Sequence, residues 1–283
     1  MLREADSKPR RLASMLSKGR ERFLDSGTFH SQLLFGQSIA PAPLTRVLDC
    51  PGDSEGIWMR ADPVRTIPDL GAVWLSDQVR IDPDSPAVTE LCGMFSEAGM
   101  KLDFPVPERG YLRLNELPDG RFVPPWQLAG ESMDRVWPHG ADARRWRRWL
   151  NETQMILHQY SRSDNNLPGS LWFWGAGELP QTSPASRVNR VRARSPELRG
   201  AAAWAGLESL PLDGVADVDS MAGSLLEWPV DHARSAKAHL GELTEYLARA
   251  WRRLKFNRGM KVLELADETR VWRFSALDAW RLW

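Results

Sequence analysis

A chain of 283 residues with 42% hydrophobic and 26% charged content is sized for one large domain or two smaller ones, with apolar side chains enough for a sizeable core. Lysine plus arginine and aspartate plus glutamate both total 37, so the formal net charge is zero and no overall field draws the molecule to nucleic acid or to an anionic membrane. Two cysteines, Cys50 and Cys92, exclude a disulfide framework and a four-thiolate metal site, and no apolar run approaches the ~18 residues of a membrane span.

The basic N-terminus lacks the apolar centre of a secretory signal, so a cytoplasmic location with free thiols is expected. Fourteen tryptophans stand against three tyrosines, and such large rings are first of all core material.

Leu12, Met15, Leu16 and Phe23 recur at helical spacing among basic residues, predicting an amphipathic helix over residues 9–24. Pro41, Pro43, Pro51, Gly52 and Gly56 make residues 38–56 read as a connection. A short strand follows from Ile57 and ends at Pro63, which has no N–H to continue a ladder. Near its end stand Arg60 and Asp62, suited either to an internal ion pair or to gripping a ligand. Another strand spans 70–75, and Asp84 or Ser85 caps a helix with Pro86 in its first turn and Val88, Leu91 and Phe95 on one face. Strands over 101–106 and 111–114 complete an α+β unit with an antiparallel sheet.

The clearest helix carries Trp146, Trp149, Leu150, Thr153 and Leu157 on one face, with Asn151, Gln154 and His158 as a second stripe. His139 lies just ahead of it, where backbone N–H groups favour anions. Residues 170–174 show no polar alternation, as expected of a strand covered on both sides, and Gly175 and Gly177 end it. A strand over 187–194, a helix opened by Ser195, Pro196 and Glu197 and ended near Gly206, and a strand over 207–212 suggest a parallel sheet. In such sheets sites lie beyond the strand ends, here 175–178 and 213–219. A long helix over 232–256, a hairpin of 261–265 with 270–274, and Trp280 and Trp283 tucked against the core complete the chain. The organisation expected is an N-terminal helix and linker over 1–56, an α+β unit over 57–140 and an α/β unit over 141–283.

No P-loop, G-x-S-x-G elbow, H-E-x-x-H pair or dinucleotide fingerprint is present. Asp213, Asp217 and Asp219 lack the glycine and terminal glutamate of a calcium loop, and His232 and His239 stand seven apart without acidic partners. The candidate ligand-binding set is therefore Arg60, Asp62, His139, Asn151, Gln154, His158, Gly175 and Gly177. Amides, imidazoles and a guanidinium suit a small polar or anionic ligand, with no metal and no cofactor expected.

Two stretches carry a resemblance. Trp58, Arg60, Ala61, Asp62, Pro63 and Val64, together with the Asn151–His158 and Ser170–Gly177 segments, resemble the RpfE-type family of bacterial regulatory proteins, whose members are often labelled phosphoglycerate mutase. Arg65 stands where that family has histidine, and the family's Pro, Val and Asn after the equivalent of His158 are missing. The WGAG segment and residues 198–219 are also similar to archaeal-type cofactor-independent phosphoglycerate mutases. That resemblance implies a mixed α/β fold with an alkaline-phosphatase-like sheet, helices on both faces and a smaller α+β unit. It also implies two metal ions held by clustered Asp and His ligands and a Ser or Thr nucleophile, a set this sequence does not display. The expectation is a regulatory or ligand-binding protein on a degenerate scaffold. A divalent metal enters only under the alternative of an active phosphotransferase, and a third reading is an interaction protein using exposed tryptophans.

Overall fold

Leu12, Met15 and Leu16 bury one face of helix α1 (Arg10–Leu16), but the helix stops well before the end its periodicity predicts. Residues Arg20–Phe23 instead form strand β1, antiparallel to 270–273 of the C-terminal hairpin. Gly19 permits the switch, since a Cβ there would stand 2.5 Å from the Phe274 ring. Phe23 is consequently 72% exposed on the strand. Helix α2 (Phe29–Phe35) follows and ends at Gly36 in the left-handed region.

The computed structural model describes residues 9–69, 72–127, 136–161, 167–210, 212, 218, 221–230 and 235–280. The chain is mixed α/β and divides into two compact units, residues 39–183 and residues 1–38 with 184–283.

The stretch over 38–56, expected as a connection, contains helix α3 (Pro41–Asp49). Pro41 stands in its first turn, where a missing N–H costs nothing, so proline opens the helix rather than forbidding it. Strand β2 (Ile57–Asp69) is the spine of this unit. It runs through Pro63 instead of ending there. On one edge it pairs with β6 (Ser170–Gly177); on the other it passes from β5 (Arg109–Leu114) to β3 (Ala72–Gln78). The Pro63 carbonyl accepts from the Val79 N–H at 3.0 Å, so its nitrogen faces that second edge at the handover, where no ladder bond is lost.

Helix α4 (Pro86–Glu97) is capped by Ser85 Oγ, which accepts from the Val88 N–H, and β4 (Lys101–Val106) pairs with β5. Helix α5 (Ala143–Ser161) buries Trp146, Leu150, Thr153 and Leu157. The expectation of a parallel partner for β6 is corrected: it pairs antiparallel with β2. Its unbroken apolar run arises because α3 and α5 both cover it, and that pattern does not report strand direction.

In the other unit, β7 (Arg190–Arg192) lies between β8 (Glu208–Leu210) and β9 (Ser224–Leu226), parallel to both, with helix α6 (Pro196–Trp204) linking β7 to β8. The strand–helix–strand pattern is thus parallel where residues 187–212 predict it. Helix α7 (Ala236–Lys255) begins at Ser235, whose Oγ accepts from the Ala238 N–H. Its Leu240, Leu243 and Leu247 pack with Leu12, Trp272 and Phe274. The hairpin β10 (Val262–Ala266) and β11 (Arg270–Ser275) leads into α8 (Ala276–Trp280). Trp280 does not tuck in as expected: it is 54% exposed, its indole N–H donates to the Lys255 carbonyl, and the Lys255 ammonium lies 4.1 Å from its ring centroid. Trp283 lies outside the described residues. No helix among the described residues is long and apolar enough to cross a membrane.

Candidate functional site

Arg60 and Asp62 are two apart on β2 and so share one face. The guanidinium meets the carboxylate with two bonds, Nε to Oδ1 at 2.8 Å and Nη2 to Oδ2 at 2.9 Å. Oδ2 also accepts from Gln78 Nε2 and from the Trp174 indole N–H, both at 2.7 Å. Arg60 further reaches Thr45 Oγ1 on α3 and lies over the Trp174 ring. With Arg60 1% and Asp62 0% exposed, the pair is satisfied on all sides and ties α3, β2, β3 and β6 together.

Two more arginines, Arg46 and Arg109, extend this network. Arg46 grips Asp103 with two bonds, at 2.6 and 2.9 Å, and Asp53 at 2.6 Å, while stacking 4.1 Å from the Trp58 ring centroid. Arg109 and Tyr111 both donate to Asp49. Burial disfavours the Asp49 charge, but the bonds from Arg109 and Tyr111 outweigh it and hold its pKa below the usual value. Burial, with the neighbouring Asp49 charge, pushes the Tyr111 phenol well up. These groups come from positions up to 62 residues apart, and no local motif announces them.

Gly175 and Gly177 act by closeness rather than by ligation. Gly175 has φ +68°, and a Cβ there would stand 2.8 Å from Pro41 Cγ; a Cβ at Gly177 would strike that of Ala40. They let the start of α3 sit directly on β6.

The stripe on α5 is different. Asn151 and His158 are exposed, and Gln154 turns inward to Ser170 Oγ at 3.4 Å. His139 is exposed and its backbone bridges Arg121. The structure therefore brings Arg60 and Asp62 together in the interior and sets Asn151, His158 and His139 at the surface. Asn151 lines an open depression of about 660 Å³ together with Gly140, Arg144, Arg147, Arg148 and Glu152. The three arginines were absent from the sequence-level set, although their spacing relative to Asn151 places Arg144 and Arg147 on its face. Arg148 pairs with Glu152 at 2.7 Å; among the described residues Arg144 and Arg147 meet no carboxylate.

Among the described residues no group of three or more His, Cys, Asp or Glu is placed to hold a metal ion, and both cysteines are free. Asp213, Asp217, Asp219 and His232 lie outside the described residues.

No family model matches the chain, and no curated protein matches it. Among solved structures it is similar to the cofactor-independent phosphoglycerate mutase from Thermoplasma acidophilum, with 17% identity, a TM-score of 0.39, and 95% of this chain and 82% of that chain covered. A protein from Pyrococcus horikoshii is similar at 10% identity and a TM-score of 0.42, over 90% of this chain and 74% of that one. Both scores are below 0.5.

Proposed function

We propose that this protein works by recognising a small polar or anionic ligand on the solvent face of α5, in a regulatory rather than a catalytic role. The observation that carries this reading is the depression along Gly140–Glu152, where Arg144 and Arg147, which meet no carboxylate among the described residues, stand beside the exposed amide of Asn151. Guanidiniums and amides hold oxygen-rich groups by directed hydrogen bonds, and neither is a nucleophile or a general base. The regulatory part of the reading rests on the resemblance of residues 58–64 and 151–177 to RpfE-type proteins, and the cytoplasmic location on the N-terminus having no apolar centre of a secretory signal.

The alternative is a metal-dependent phosphotransferase of the phosphoglycerate mutase kind, favoured by the order of the WGAG segment and residues 198–219. Such chemistry needs several carboxylate or imidazole ligands around paired metals. Metal content of the purified chain, measured alongside a phosphoglycerate isomerisation assay with added Mn²⁺, Mg²⁺ or Zn²⁺, separates the two. The binding reading expects neither bound metal nor turnover; stoichiometric metal with turnover overturns it.

A further inference from the structure

We propose that the depression along Gly140–Glu152 is a site for a phosphate monoester of a small molecule, gripped by Arg144 and Arg147 with Trp137 positioning the second of them. The proposal rests on the ligand-recognition reading above and names its chemistry.

Arg147 is arranged before any ligand arrives. Its guanidinium carbon lies 5.5 Å from the Trp137 ring centroid, and an Nη donates to the Pro138 carbonyl at 3.4 Å. Among the described residues its Nε is buried without an acceptor, and so is the Trp137 indole N–H. Those two atoms are shut off from solvent, so a ligand in the depression meets Arg147 through its terminal N–H groups, held in place by the Trp137 ring and the Pro138 carbonyl. Arg144 stands three residues before Arg147 and Asn151 four after, so all three share one strip of the helix surface.

The nearby acids among the described residues already have partners. Glu152 pairs with Arg148, and an Asp142 carboxylate oxygen accepts from the Asp119 N–H at 2.8 Å. Arg144 and Arg147 face the depression with no carboxylate partner among the described residues, and two guanidiniums match the oxygens of a phosphate monoester better than those of a carboxylate or a phosphodiester. The planar fork of arginine fits phosphate oxygens two at a time. A volume of about 660 Å³ falls within the range of small-molecule sites.

The test titrates ethyl phosphate into the ¹⁵N-labelled full chain and reads the indole N–H resonances, that of Trp137 assigned by its loss in Trp137→Phe. The Trp137 resonance is expected to move saturably, and Arg144→Ala and Arg147→Lys each to weaken binding roughly tenfold or more. Arg199→Ala, on α6, is expected to leave the affinity unchanged. Arg144 is exposed and meets no carboxylate among the described residues, so its substitution leaves the fold intact and the result readable. A Trp137 resonance that stays still at a large excess of ethyl phosphate, or binding that both variants leave unaltered, overturns the site. Acetate binding as tightly as ethyl phosphate overturns the phosphate assignment, and a single-stranded oligonucleotide binding more tightly through the same arginines overturns the small-molecule assignment. Metal with mutase turnover alongside arginine-dependent phosphate binding would sink only the non-catalytic reading. No phosphate binding and no turnover would sink only this site.

Discussion

Asp62 is the residue on which the interior of the 39–183 unit turns, because a single carboxylate oxygen takes hydrogen bonds from Arg60, Gln78 and Trp174. Removing one partner of a buried ion pair costs more than removing both. Asp62→Ala is therefore expected to lower unfolding stability by about 3–5 kcal/mol, and the double change Arg60→Met with Asp62→Leu by less than either single change, as read in a denaturant double-mutant cycle. Equal or additive losses would contradict the coupling. A pH effect belongs at the same scale. Burial lowers the His30 pKa from 6.5 to about 3, with Glu227 opposing it. The folded state keeps His30 neutral while the unfolded chain takes up a proton below pH 6.5, so stability is complete above that value and declines as pH falls toward 3. The expected loss approaches roughly 1.4 kcal/mol per pH unit across the middle of that window, and His30→Gln flattens the profile. Asp49 and Asp53, with lowered pKa values, add their losses only below the ordinary carboxylate range.

At the scale of elements, closeness of backbones decides more than propensity. Gly177 leaves no room for a side chain against Ala40, so Gly177→Val is expected to cost about 1–3 kcal/mol in thermal or denaturant unfolding. An unchanged midpoint would mean that α3 does not sit on β6 as described. The elements legible in the sequence were those with local punctuation: α4 begins at Ser85 and Pro86, and α6 runs from Ser195 and Pro196 to its stop at Gly206. What escaped was set by distant partners. β1 is a strand because the β11 edge accepts it, α3 is a helix although its prolines resemble a linker, and β6 runs antiparallel although its apolar run suits either direction. The site divided in the same way. Arg60 with Asp62 and the α5 stripe were visible as same-face spacings, whereas Gln78 and Trp174 on Asp62 join only through the sheet register.

For the whole molecule, the division into two units is unequal in sequence. Residues 39–183 are continuous and carry their own apolar core, from Met59 and Leu112 to Trp146 and Phe173. The other unit joins residues 1–38 to 184–283, with β1 paired to β11 across the interval. A fragment of residues 39–183 is expected to fold alone, with a cooperative thermal transition and a structured near-ultraviolet signal from its tryptophans; a fragment lacking both would contradict the division. The central claim separates a buried strut from a surface site within this unit. Calorimetric titration of ethyl phosphate into the full chain, compared with Asp62→Asn and Arg144→Ala at a temperature where all three are folded, tests it most directly. The account predicts that Asp62→Asn keeps the affinity while losing stability, and that Arg144→Ala keeps the stability while losing the affinity. The opposite pattern, with binding lost at Asp62 and kept at Arg144, would contradict it.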